Sequence, residues 1–455
     1  MTIRELGILL RSGRASSVEL VREAVTKAKS DQLRLFITIT ADQAFAEAKE
    51  RDKELAAGID RGPFHGIPIG YKDLFFTKGI RTTGGSLIYK DFLSQHDATV
   101  VDKLRLAGAV TVGKLNLHEL AYGATSKNPH YGFVLNPYDT ARVAGGSSGG
   151  SAGAVAAGIL PLTLGSDTGG SVRIPASYCG VAGFKPTYGR VSRYGVMPLA
   201  FSLDHVGPLG ATVEDCALAM AEIAGQDARD TSSSAVPVPD FHETPPKRLD
   251  GLRIGIPKSF YFEHVDGEVS QHVNEAIREM ERLGATSHAV ELPNIKDLNA
   301  AARVVLWAEA TSLYAVQHDA TLFGKDVWAL IEQGRMVSAP DYVNAQRMRT
   351  LFRRQFDELW QTIDVLATPA TPITAPRIDE EDVDIDGYRE NARVASTRLT
   401  RAINLIGEPA LSMPCGRSAA GMPIGLQLVG APFSDAKLLR VGQRLERELA
   451  GSKSQ

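Results

Sequence analysis

The chain has 455 residues, 44% of them hydrophobic and 23% charged, with a formal net charge of −3 at pH 7. That length and balance provide for a large core and exclude a disordered or fibrous protein, and slight acidity without a long basic run leaves no footprint for direct nucleic-acid binding. Cys179, Cys216 and Cys415 are too far apart for a disulfide framework or a metal-ligand pattern, and the sequence carries no signal-peptide core or bilayer-length apolar run; a reducing, cytoplasmic setting is expected.

Residues 2–29 read as two helices, the second restarting at Ser16 and Ser17 with Glu19 behind them and Leu20, Val21, Ala24 and Val25 at helical spacing. Residues 36–40 alternate like a strand and residues 41–57 return to helix. Residues 66–73 then form a short strand with Ile67, Ile69 and Tyr71 on one face and Lys72 on the other. A helix over 99–107, a strand over 110–113 and a helical turn over 117–122 follow. Beyond a Gly/Ser-rich stretch, Thr212 caps a helix over 212–223, with Glu214 and Asp215 in its first turn.

Residues 226–248, rich in Ser, Pro and Asp, read as a long surface connection. After it come a strand (252–256), an amphipathic helix (269–283), a strand (288–292), a helical series (299–359) and a strand (364–368). The acidic residues 379–386 predict a mobile loop. A helix (397–406), two strands (410–414 and 424–429) and a closing helix (434–449) complete the pattern. Alternation of helix and strand predicts an α/β/α sandwich with a mixed central sheet covered on both faces. One domain over 1–455 is expected: an N-terminal helical segment (1–60), a catalytic core (61–225), a variable pocket region (about 250–390) and a C-terminal return to the core (391–450).

The stretch from 144 to 175 demands a chemical reason. Nine glycines lie from Gly145 to Gly170, seven of them in two clusters interleaved with Ser147, Ser148, Ser166 and Ser171. Glycine loses more conformational entropy on folding than any other residue, so such density implies a backbone path, and free N–H groups, that side chains would obstruct. Phosphate binding lacks support, because neither a P-loop nor a G-x-G-x-x-G after a strand is present. Residues 146–150 formally match the G-x-S-x-G nucleophile elbow, yet the preceding residues 136–142 hold a proline and turn formers where that elbow needs a buried strand. His205 stands as a candidate triad histidine under that reading and as a structural residue otherwise. A third reading pairs a serine nucleophile with a lysine base, which requires burial to keep the amine neutral. Lys72, ending an apolar strand, suits that role. The only S-x-x-K, Ser434 to Lys437, reads instead as a helix start capped by Ser434.

Residues 66–73, 136–152, 165–175 and 179–187 together resemble the amidase signature family, a likeness that covers roughly residues 17–225 and returns over 404–446. The resemblance implies a Ser-Ser-Lys triad on the matching positions Lys72, Ser147 and Ser171, and it selects Ser147 over Ser148. It implies that Ser171 attacks the amide carbonyl, that Ser147, preceded in the family by a cis peptide, passes protons to and from Lys72, and that the backbone N–H groups of Thr168, Gly169, Gly170 and Ser171 meet the oxyanion. A Cβ in that glycine cluster would then crowd the substrate carbon. Ala121, Tyr122 and Gly123 match positions lining the acyl pocket, and Asp167 and Arg173 are expected to brace the nucleophile loop.

No metal or cofactor is implied, and the expected partners are a small-molecule amide and, by family analogy, a second copy of the chain, with no direct nucleic acid and no membrane. Within the family, residues 184–197 are similar to the A subunit of the tRNA-dependent amidotransferase, which hydrolyses glutamine. The position of that subunit's glutamine-binding aspartate falls on Thr397, which has no charge to pair an α-ammonium. A free-standing amidase for another amide is therefore the main expectation; its alternative is the glutamine-hydrolysing A subunit. A non-catalytic scaffold would need none of the three triad residues. Glu408 stands where an uncharged residue is expected.

Overall fold

In the computed structural model, which describes residues 1–315 and 319–451, an eleven-stranded mixed sheet runs through the whole molecule. Its order is Phe36–Ile39, Val110–Leu115, Pro68–Lys72, Leu162–Asp167, His205–Gly210, Ala182–Lys185, Ala410–Arg417, Pro423–Gly430, Val365–Pro369, Arg253–Pro257 and Thr286–Val290. The first six strands all come from residues before 211 and the last five from residues after 252. The two groups meet at one seam, where Ala410, Leu411 and Ser412 lie antiparallel to Lys185, Phe184 and Gly183. The connection over 226–248 joins the two groups and carries no helix or strand.

Most predicted elements lie within a residue or two of the observed ones. Ser16 and Thr212 both cap their helices through reciprocal boxes with Glu19 and Asp215, which satisfies otherwise orphaned N–H groups. Three expectations are corrected. The acidic segment is a hairpin, Asp382–Ile385 paired with Tyr388–Asn391, whose Val383 and Ile385 are buried. The helix over 397–406 is two, Ala392–Arg398 and Arg401–Ile406, broken at Thr400. The turn over 117–122 contains left-handed Leu120 and Ala121.

The predicted helical series over 299–359 comprises Ile295–Tyr314, Lys325–Gly334 and Ala339–Leu359, and its residues 316–318 lie outside the described ones. Ser434 donates its hydroxyl to the Ala431 carbonyl, while Lys437 pairs with Asp364 at 2.8 Å on the surface, so the S-x-x-K segment is structural. The strands Ala182–Lys185 and His205–Gly210 have no forecast. Their glycines and Pro208 give little strand propensity, and only their pairing partners make them strands.

The segment between the two Gly/Ser clusters resolves into a helix, Gly149–Ala156, and a strand, Leu162–Asp167. The helix is buried on nearly every side, and its small residues permit that: a Cβ on Gly150 would overlap the carbonyls of Asn116 and Leu35. The strand runs parallel to Pro68–Lys72, with Ile69 opposite Leu162 and Tyr71 opposite Leu164. Both strands therefore end side by side, and their carboxyl ends present Lys72 and Ser166 to the same spot, the usual place for a site in an open α/β sheet.

Candidate active site

Lys72 is fully buried at the end of its strand. Its Nζ donates to Ser147 Oγ at 2.6 Å and to Ser166 Oγ at 2.9 Å. Burial disfavours the ammonium and lowers Lys72 from 10.5 to about 7, while Asp167 and Asp204 pull the other way. Two further lysines, Lys114 and Lys185, are equally buried, so burial alone does not single out a base. Lys114 donates to the Phe75 carbonyl and Thr82 and lies 3.3 Å from Asp73. Lys185 donates to the carbonyls of Pro186 and Glu408. Of the three, only Lys72 reaches a serine.

The Gly146–Ser147 peptide is cis. Ser147 is turned to Lys72, whereas the Ser148 hydroxyl donates to the Ser166 carbonyl at 3.2 Å. The second cluster lies against the first, since the Ser148 N–H donates to the Ser171 carbonyl at 3.3 Å. Ser171 is 8% exposed, the most open of the three candidate triad residues. No hydrogen bond joins Ser147 Oγ to Ser171 Oγ among the described residues.

Asp167 holds the loop of the second Gly/Ser cluster in shape. Burial pushes its carboxyl up, but Arg173, Lys185 and Asn404 outweigh that and hold it below the usual range. It accepts from the N–H groups of Gly170 at 2.7 Å and Val172 at 3.1 Å, and from Arg173 Nε and Nη2 at 3.0 Å each. Arg173 in turn donates to Gln427 and Asn404 across the sheet seam. Replacing Arg173 with Met leaves a buried carboxylate without its counter-ion, and a loss of about 3–5 kcal/mol in urea unfolding is expected; a loss under about 1 kcal/mol would remove Arg173 from this role.

The same bonds correct the oxyanion set. The Gly170 N–H is committed to Asp167, so it does not face a substrate oxygen. The N–H groups of Thr168, Gly169 and Ser171 have no protein acceptor among the described residues. Gly170 is glycine for another reason: its φ is +125°, and a Cβ there would overlap Thr400, not a substrate. A Cβ on Gly169 would meet only Arg401 Cγ and Nε at 3.8 Å, so that peptide edge looks into the site.

Ala121 lines a cavity of about 210 Å³ that also touches Ser166 and Thr168; neither Ser147 nor Ser171 borders it. Tyr122 is buried, with its hydroxyl 3.5 Å from the Leu330 carbonyl, and Gly123 packs on the His118 ring. His205 is buried at the strand end, its Nδ1 within 2.6 Å of the Leu203 carbonyl and its ring against Tyr188, and it touches neither serine. Glu408 is buried, and burial raises it to about 8; its backbone carbonyl, not its carboxyl, receives Lys185.

Four residues near the site, Ser166, Asp204, Thr400 and Asn404, had no sequence signal as site residues. Ser166 is the second partner of Lys72. Thr168 donates to Asp204 at 2.6 Å, Thr400 to the Gly169 carbonyl at 2.8 Å, and Asn404 to the Asp167 carbonyl at 2.9 Å. The last two come from more than 200 residues away, where only the fold could bring them.

A family model described as Amidase matches residues 19–439. The chain belongs to the amidase signature family. It is accordingly a hydrolase of carbon–nitrogen amide bonds, with an α/β fold of the amidase type. The chain is 42% identical to a protein of Anaeromyxobacter sp. (strain K) named as the A subunit of glutamyl-tRNA(Gln) amidotransferase, over 98% of this chain and 96% of that one. A protein of the same name from Chloroflexus aggregans is 40% identical over the same shares.

Among solved structures, one described as an unexpected vestigial protein complex that reveals the evolutionary origins of an s-triazine catabolic enzyme superposes with a TM-score of 0.95 at 36% identity, covering 98% of each chain. Three or more His, Cys, Asp or Glu side chains gather nowhere among the described residues as a metal-binding group, and no described helix is long and apolar enough to cross a membrane.

Proposed function

We propose that this amidase cleaves a primary carboxamide to acid and ammonia, with Ser171 as nucleophile, Ser147 as proton relay and Lys72 as base. The observation that carries the reading is the 2.6 Å contact of a buried, near-neutral Lys72 with Ser147. Neutral Lys72 takes the Ser147 proton, Ser147 takes that of Ser171, and the Ser171 oxygen bonds to the amide carbon. Negative charge collects on the carbonyl oxygen, where the N–H groups of Gly169 and Ser171 are free to meet it. As the C–N bond breaks, Ser147 hands a proton to the departing nitrogen and recovers one from Lys72. Water then repeats the sequence on the acyl-enzyme and restores Ser171.

The relatives named as amidotransferase A subunits favour a finer reading over the free-standing homodimer expected from sequence: this chain works with partner subunits and supplies ammonia from glutamine for a tRNA-bound acyl group. One observation supports the free-standing reading instead. Thr397 offers no carboxylate for an α-ammonium, and the guanidinium of Arg401 donates to its hydroxyl at 2.6 Å. Ammonia release by the purified chain from glutamine, asparagine and simple amides separates the two. Release from several amides without partners supports a free-standing amidase; glutamine alone as substrate supports the amidotransferase reading, and no release from any amide would reject the shared chemistry.

A further inference from the structure

Arg401 stands beside the nucleophile loop as a guanidinium without an anion. Its side chain lies 3.8 Å from where a Gly169 Cβ would be, and one terminal nitrogen donates to Thr397 Oγ1. Its Nε is buried and has no partner. The two arginines with the largest fully buried side chains are treated differently: Arg173 lies 3.0 Å from Asp167 and Arg190 lies 3.7 Å from Asp435.

More positive charge stands behind Arg401. Arg393 is on the helix that carries Thr397, whose hydroxyl donates to the Arg393 carbonyl at 3.1 Å. Arg303 is on Ile295–Tyr314, the long helix packed against Arg401–Ile406. Both are half-buried. Among the described residues, no carboxylate lies within 4.0 Å of any of these three guanidinium groups. Burial, then Arg303 and Arg393, push the Arg401 guanidinium down to about 10. Asp326, the acidic group that Arg393 senses, is engaged by His118 at 3.0 Å, and Glu119 is engaged by His130 at 3.0 Å.

Confining unpaired cations in low dielectric costs several kcal/mol unless an anion arrives. Structural packing does not account for the arrangement, because a neutral side chain could fill the same space at lower cost. Half-burial leaves Arg401 within reach of a bound molecule, next to the peptide edge that faces the site. We propose that Arg401, backed by Arg393 and Arg303, binds a carboxylate carried by the substrate, so that the preferred substrates are monoamides of short dicarboxylic acids. The carboxamide would lie at Ser171 and the free carboxylate would accept from Arg401 Nη1, the terminal nitrogen that Thr397 does not occupy. Glutamine carries such a carboxylate too, but its α-ammonium would stand beside three cations with no acidic partner, so the same acid without the amino group is the better ligand. The inference rests on the amide hydrolysis proposed above.

The test compares kcat/KM for succinamate and glutaramate with that for the neutral isosteres butyramide and valeramide and for glutamine. A preference of about 10–100-fold for the anionic amides is expected, the range that a charge-assisted hydrogen bond supplies. In Arg401→Met the ratio should fall to within about threefold of one, and Arg401→Lys should restore part of it. Glutarate should also bind the whole Ser171→Ala chain in a calorimeter, and bind at least tenfold more weakly when Arg401→Met is added. Hydrolysis of charged and neutral amides at equal rates, or a preference that survives Arg401→Met, overturns the carboxylate site while leaving the amidase reading intact. Glutarate binding that depends on Arg401, with no amide hydrolysed, sustains the site and overturns the amidase reading. Absence of glutarate binding overturns the site.

Discussion

Ser171→Ala should abolish amide hydrolysis, with kcat falling on the order of 10⁴-fold or more, because the proposed nucleophile is gone while the rest of the loop stays in place. The loop is held by Asp167, Arg173 and Asn404, none of which touches the Ser171 hydroxyl, so Tm should stay within a few degrees of the parent. A fluorophosphonate probe should label the parent at Ser171 and leave the variant unlabelled. Labelling that persisted on Ser147 or Ser148 would overturn the assignment of the nucleophile.

Lys72→Ala should cost about 10²–10⁴-fold in kcat/KM at pH 7, the usual contribution of a positioned base. The pH profile provides a sharper test. The amine must be neutral to accept a proton, so parent activity should rise with pH through about 7, where burial places Lys72. The variant's residual activity should lack that step. Stability carries the opposite bookkeeping of the same protons: between about 7 and 10.5 the unfolded lysine holds a proton that the folded one has shed, so Lys72 makes stability rise with pH in that window. Lys72→Ala should flatten the rise, which Tm measured at pH 7 and 9 would detect. Near-parental activity with an unchanged pH profile would remove Lys72 from the chemistry, and His205, held by the Leu203 carbonyl, is not positioned to replace it.

That Lys72 and the two Gly/Ser clusters come together was legible in the sequence because their constraints are local. Glycine density, a lysine at the end of an apolar strand and a serine in each cluster lie within residues 66–175, but periodicity placed neither of the two helices beside them, Gly149–Ala156 and Arg173–Cys179. What was missed depends on distant pairing. Ala182–Lys185 and His205–Gly210 are strands only because their neighbours make them so. Thr400 and Asn404 hold the loop over 167–171 from the far side of the sheet, with no pattern of their own to announce it. The Gly170 error has a physical source as well: a sequence shows which N–H groups are available, but not that Asp167 has already taken one.

The seam between the two groups of strands divides labour as well as topology. Every residue of the proposed triad, and the loop proposed to meet the oxyanion, precede residue 211. The wall facing them, Thr397, Thr400, Arg401 and Asn404, follows residue 252, and hydrogen bonds from Arg173, Thr400 and Asn404 tie the two halves together. Of these four, Thr397 and Arg401 make no hydrogen bond to residues 166–173, so substitutions at those two positions leave the reacting groups in place. New substrate preferences can therefore arise by substitution at Thr397 and Arg401 while the reacting groups, set by the first half of the chain, stay as they are.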